Sequence, residues 1–122
     1  MQTERRYPRV AIEQDGELEV RVGAGRVSVP VTIRSISCEG AGITFSARRP
    51  TLCRGATVTM RFRSSARDSF VLPGRVAWCA PNGERRGDFD VGVRFQLELA
   101  QNQTRQRYAH WIVRLIREAI RR

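Results

Sequence analysis

Between residues 18 and 95 the chain repeats one pattern, in which apolar and polar residues alternate in short runs separated by turn signals. Leu18, Val20 and Val22 alternate with Glu17, Glu19 and Arg21. Val27, Val29, Val31 and Ile33 alternate with Ser28, Pro30, Thr32 and Arg34. Ala41, Ile43 and Phe45 follow, then Val58, Met60 and Phe62 against Thr59, Arg61 and Arg63. Phe70, Leu72, Val76 and Trp78 share one phase, and Val91, Val93 and Phe95 share another. A side-chain period of two puts every apolar residue of a run on one face, so each run reads as a half-buried antiparallel strand. Asp15-Gly16, Gly23-Ala24-Gly25, Glu39-Gly40, Arg54-Gly55 and Pro81-Asn82-Gly83 punctuate the runs. Many short strands at this spacing predict a sandwich or a small barrel. Pro30 and Pro73 interrupt two runs and lack an N–H, so they belong at an edge or a bulge.

The tail changes period. Tyr108, Trp111, Ile112, Leu115, Ile116 and Ala119 form one stripe of an α-helix, with Arg107, Arg114, Arg117 and Arg121 off it. Asn102 or Thr104 is the expected N-cap. The stripe should dock over the barrel or against a partner and leave its basic face in water. The chain therefore divides into an N-terminal basic arm at 1–9, a barrel at 10–98 and an amphipathic basic helix at 99–122, one domain in all.

Charge narrows the partners. The net charge is +10, and all 22 basic residues are arginine. Residues 101–122 carry six arginines against Glu118 alone, half of the excess. Codon bias explains such exclusivity as readily as function does. Even so, planar guanidinium forks bind phosphate and stack on rings. Nucleotides, nucleic acid, acidic proteins and anionic lipid are the partner classes this charge attracts.

Other classes are excluded by what is missing from the sequence. No window approaches the roughly 18 apolar residues of a membrane span, and the charged MQTERRYPRV start lacks the apolar region of a secretory signal. The expectation is a cytoplasmic protein. Cys38, Cys53 and Cys79 are odd in number and widely spaced, and His110 is the one histidine, which argues against a zinc site or a disulfide scaffold. The cysteines are expected to be buried, reduced thiols. No paired carboxylates, nucleophile elbow or Gly-rich phosphate loop is present, so no enzyme and no cofactor are expected. His110 reads as a half-exposed helix residue. A nucleic-acid partner is disfavoured, because aromatic residues are only 7% and no recognition motif appears.

Two segments carry more specific information. The first, Glu4-Arg5-Arg6-Tyr7-Pro8-Arg9, contains RxxxR at Arg5 and Arg9. The second, Ser35-Ile36-Ser37-Cys38-Glu39-Gly40, closes a strand and starts a turn. Gly74-Arg75-Val76-Ala77-Trp78 and Gly92-Val93-Arg94-Phe95 follow in order. Together these resemble the PilZ domain, a bacterial receptor module for cyclic di-GMP, marked by RxxxR, (D/N)xSxxG, a GxVxW-like strand, a late GVxF strand and a C-terminal helix. The resemblance covers nearly the whole chain. It implies a mainly β fold, a six-stranded antiparallel β-barrel with a C-terminal α-helix.

It also implies a ligand and a site. Arg5, Arg6 and Arg9 would grip phosphates or a guanine edge. Ser35 and Ser37 would hydrogen-bond the ligand, Gly40 would let it approach the backbone, and Trp78 would stack on guanine. Other readings stand beside these: a solvated basic head for the arginines, turn chemistry for Ser37 and Gly40, rim packing for Trp78, and structural roles for Gly92 and Phe95. The sequence departs from the family pattern at Ser35, where the family has Asp or Asn. A shorter, neutral hydroxyl there is expected to cost about 1–3 kcal/mol, or a factor of roughly 5 to 150 in dissociation constant.

The implied function is a stand-alone cyclic di-GMP receptor. Its arm orders on binding and its output passes to a protein partner, since no effector domain accompanies it. The alternative is a degenerate PilZ-like adaptor that binds no nucleotide, as in type IV pilus or motility regulation. A monomer or a weak homodimer fits either.

Overall fold

The computed structural model describes residues 10–11, 19–24, 27–46, 52–63, 69–84 and 86–121. Among them lie strands β1 (Val10–Ala11), β2 (Glu19–Ala24), β3 (Val27–Ile36), β4 (Gly40–Ser46), β5 (Thr57–Arg63), β6 (Ser69–Pro81) and β7 (Asp88–Phe95). A single 3-10 turn, Leu97–Leu99, leads into helix α1 (Asn102–Arg121). All pairings are antiparallel, in the order β3-β2-β5-β6-β7-β4, and β4 pairs back to β3. Six strands thus close into a barrel, and closure removes the exposed edges that an open sheet would present. Strand β1 adds to the end of β3, pairing Val10 with Ile36 and Ala11 with Ser35.

The period-two pattern becomes the wall of the barrel. In β5, Val58, Met60 and Phe62 are buried while Thr57, Thr59, Arg61 and Arg63 are exposed. Val20, Val22, Ile33, Ile43, Leu72, Val76, Val91 and Val93 join them in one core. At one end the core becomes aromatic and meets α1. Phe62 stacks on Phe70 with ring centroids 5.0 Å apart, Phe95 meets Tyr108 edge-on at 5.2 Å, and Trp111 lies 5.5 Å from both Phe62 and Phe70. Tyr108, Trp111 and Ile112, the first half of the expected stripe, are buried there. Arg105, Arg107, Arg114 and Arg117 are exposed on the other faces of the helix. Among the described residues no helix is long and apolar enough to cross a membrane.

Both prolines sit where a neighbouring ladder stops. Pro30 pairs with Arg21 of β2, and the β3–β4 ladder begins only at Thr32. Pro73 pairs with Thr59 of β5, and the β6–β7 ladder begins at Gly74.

The helix start differs from expectation. The Arg105 N–H donates to the Gln101 carbonyl at 3.0 Å. The Asn102 Oδ1 accepts the Arg105 guanidinium at 3.4 Å rather than a backbone N–H.

The cysteines are free, but they are not all buried. Cys53 is exposed, and Cys38 and Cys79 are half-buried.

The phase of Trp78 differs as well. The β6–β7 register shifts between Val76, opposite Val93, and Trp78, opposite Gly92, which makes Ala77 an extra residue. A bulge reverses the inward parity of everything after it. Val76 is therefore 1% exposed, Trp78 is 43% exposed, and Cys79 turns towards the core.

Candidate functional site

Register assembles one patch on the outer wall. Ser35 pairs with Gly42, Gly42 with Gly92, and Gly92 with Trp78. These four residues form one row across β3, β4, β7 and β6, roughly 14 Å from end to end at a strand spacing of about 4.8 Å. A bulge lies at each end of the row, at Arg34 in β3 and Ala77 in β6. Bulges re-aim side chains and recur beside functional sites. The centre of the row is glycine, and the indole lies across it: a Cβ on Gly92 would stand 2.1 Å from Trp78 Nε1 and 2.5 Å from Cε2. Trp78 is therefore a flat aromatic surface laid against the sheet with its other face open.

Charged rows flank this shelf. On one side Gly40 pairs with Arg94 and Arg94 with Arg75, and both arginines are exposed. On the other side Thr44 pairs with Asp90. The Asp90 Oδ1 accepts the Thr44 hydroxyl at 2.8 Å, the Asn82 amide at 3.0 Å and the Arg34 guanidinium at 3.3 Å. Burial alone would raise the Asp90 carboxyl. The Thr44 and Asn82 hydrogen bonds and the Arg34 charge outweigh it and hold the pKa below the ordinary carboxylate value.

The turn after β3 is stapled by its own residues. Ser37 is 2% exposed. Its N–H donates to the Gly40 carbonyl at 2.9 Å, and its hydroxyl donates to the same carbonyl at 3.4 Å while accepting the Glu39 N–H at 3.3 Å. The Phe95 N–H, donating to the Glu39 carbonyl at 2.8 Å, fastens the turn to β7. The buried Tyr108 hydroxyl donates to the Ser37 carbonyl and ties the turn to α1. Burial, with Cys38 a lesser cause, raises the Tyr108 pKa, so the phenol remains a neutral donor. Tyr108→Phe leaves that carbonyl buried without its partner. A loss of about 1–3 kcal/mol is expected in urea unfolding, and an unchanged midpoint would remove Tyr108 from this role.

Of the residues that the sequence singles out, Ser35 and Trp78 meet in one row, with Ser35 half-buried. Gly40 closes the adjacent row. It is buried, and a Cβ there would stand 2.3 Å from the Val93 carbonyl oxygen, so packing by itself demands glycine. Ser37 lies beneath the wall, with both hydroxyl bonds internal to its turn. Arg5, Arg6 and Arg9 lie outside the described residues; Val10, next in the chain, pairs with Ile36. Arg34 and Asp90 belong to the patch without any motif to mark them, and Arg75 and Arg94 occupy the variable positions of the GxVxW-like and GVxF segments. For Arg34 and Asp90 the one sequence signal is an outward position in an alternating strand, which many surface residues share. A separate cleft of about 450 Å³ opens between the start of β6 and α1, lined in part by Ser69, Phe70, Arg107 and the exposed His110. Among the described residues, no residue of the motifs lines it.

Comparison with known proteins agrees with this architecture. No curated protein sequence matches the chain. Among solved structures, the K. pneumonia MrkH–c-di-GMP complex superposes with a TM-score of 0.77 at 16% identity, over 98% of this chain and 55% of that one. The PilZ domain of Escherichia coli YcgR with c-di-GMP gives 0.75 at 14% identity, over 96% and 95%. The Bacillus subtilis inhibitor of motility, MotI/DgrA, gives 0.67 at 12%, over 92% and 51%. This chain therefore spans about half the length of two of these proteins and nearly all of the third. At such identities the likeness is one of fold. The model of the PilZ domain matches residues 3–114, and with the motifs in order along a closed six-stranded barrel, the chain belongs to the PilZ domain family.

Proposed function

We propose that this protein is a receptor for cyclic di-GMP whose bound form is read by a protein partner. The observation that carries this reading is the row that aligns Ser35, from the SxSxxG segment, with Trp78 across two glycines. A purine needs a flat face to stack on and hydrogen-bonding groups at its edges. Trp78 offers the face. Arg75 and Arg94 on one side and Asp90 on the other offer cationic donors and an anionic acceptor. Strand β1 joins β3 at Ser35 and Ile36, so the RxxxR segment directly precedes a strand that borders the row. Guanidinium groups there would bind the two phosphates bidentately. Two of the similar structures, MrkH and YcgR, are complexes with the same nucleotide.

Calorimetric titration with cyclic di-GMP, with GTP and cyclic GMP as controls, tests the reading. Saturable binding selective for cyclic di-GMP is expected. The Arg5→Ala/Arg9→Ala variant should weaken it by a factor of about 10 to 150, the equivalent of one lost charge-assisted hydrogen bond. Binding by that variant as tight as wild type would reject the arm's role.

A second reading is an adaptor that binds no nucleotide. Ser35 favours it, because a half-buried hydroxyl replaces an acid or amide. The internal bonding of the Ser37 hydroxyl favours it too. Under that reading the titration gives no heat, and the melting temperature does not move at high ligand.

A further inference from the structure

We infer that Asp90 reads the Watson–Crick edge of a guanine lying on Trp78, with Arg94 at its Hoogsteen edge. The inference rests on the cyclic di-GMP reading above and adds the residue that sets base specificity.

All three donors to Asp90 reach the same oxygen, Oδ1: the Thr44 hydroxyl, the Asn82 amide and the Arg34 guanidinium. No described residue donates to Oδ2. A carboxylate has about four acceptor positions, so this one is held by one oxygen and offers the other. A quarter of the Asp90 side chain is exposed. Three bonds from two strands and a turn leave it little rotational freedom, which is the preorganisation a specificity contact needs.

Its place in the sheet matches a purine. Asp90, Gly92 and Arg94 are successive outward residues of β7, and the Trp78 indole covers Gly92 between them. Asp90 and Arg94 are roughly 14 Å apart along the strand at about 3.4 Å per residue. That length suits one bicyclic base with a hydrogen bond of about 2.9 Å at each end. Guanine shows adjacent donors, N1–H and N2–H, on its Watson–Crick edge and acceptors O6 and N7 on its Hoogsteen edge. A carboxylate matches the first edge and a guanidinium the second. Adenine places the acceptor N1 where the carboxylate would sit, so the pair of charges rejects it. Ser35, with a neutral hydroxyl, cannot supply that anion; Asp90 can.

The test uses the intact chain and three ligands: cyclic di-GMP, cyclic di-IMP, which lacks the 2-amino donor, and cyclic di-AMP. Wild type should bind cyclic di-IMP about tenfold more weakly than cyclic di-GMP and show no saturable binding of cyclic di-AMP. Asp90→Asn, checked for wild-type melting, should lose about tenfold for cyclic di-GMP and no longer separate it from cyclic di-IMP. Equal wild-type affinity for the guanine and inosine ligands overturns the inference without any variant. So does Asp90→Asn that binds cyclic di-GMP within about twofold of wild type. Absence of cyclic di-GMP binding by wild type is a different result: it rejects the receptor reading itself, and this inference with it.

Discussion

Phe62→Ala is expected to destabilise the protein by about 3–5 kcal/mol, a large part of the roughly 5–15 kcal/mol that holds a domain of this size together. Phe62 is fully buried. Its ring lies 5.0 Å from Phe70, 5.5 Å from Trp111, 6.2 Å from Phe95 and 6.3 Å from Tyr108. These partners come from β6, β7 and α1, so one side chain joins three barrel strands to the helix that closes the barrel end. Alanine removes the ring and leaves a cavity that four rigid neighbours cannot collapse into. Denaturant unfolding should show a much lower midpoint with an unchanged slope, the sign of lost stability rather than of an altered unfolded state. The helix should loosen before the wall, because β5 retains its backbone ladders to β2 and β6. A shift below about 1 kcal/mol would place this residue among ordinary surface substitutions and remove it from the centre of the core.

Gly40→Ala is expected to cost about 3 kcal/mol, the upper part of the range for overpacking, and to lower Tm by roughly 10 °C. The added Cβ would stand 2.3 Å from the Val93 carbonyl oxygen and 3.4 Å from the Arg94 Cα. Both are backbone atoms, so no side chain can rotate away. Nor can the strand retreat: β4 pairs with β7 from Gly40 to Ser46, and the Phe95 N–H is bonded to the Glu39 carbonyl. The measurement is calorimetric melting with no nucleotide present. A glycine kept only so that a ligand can approach would leave that melting temperature unchanged, and such a result would refute the packing account. A large drop means that reduced nucleotide affinity in this variant reports a displaced turn as much as a blocked site.

The barrel was legible in the sequence because burial on one side of a strand imposes a period of two, and the helix because burial along one stripe imposes a period of 3.6. Val58, Met60 and Phe62 point inwards as their alternation requires, and Tyr108, Trp111 and Ile112 face the core as their spacing requires. The ordered motifs identified the family, and the family model matches over residues 3–114. Alternation assumes an unbroken strand, however, and so misplaces whatever follows a bulge. Val76 and Trp78 are two apart in sequence, yet they lie on opposite faces, because Ala77 is an added residue in β6.

The candidate site depended on register, which relates strands far apart in the chain. Ser35 and Trp78 are 43 positions apart in the sequence and share a row only through Gly42 and Gly92. Arg34 and Asp90 meet at 3.3 Å across 56 positions. Local composition carries no trace of such pairs, since any outward position of any strand could hold them. Sequence alone determined which residues of the unbroken strand runs face inwards, the excess of arginine and the identity of the family. Only the tertiary structure decided that Gly40 serves packing, that the Ser37 hydroxyl bonds within its own turn, and that Trp78 covers Gly92 between the outward positions of Asp90 and Arg94. The physical reason is that periodicity reports burial, a property of each strand by itself, whereas a site is made by neighbours that hydrogen bonding brings together from distant parts of the chain.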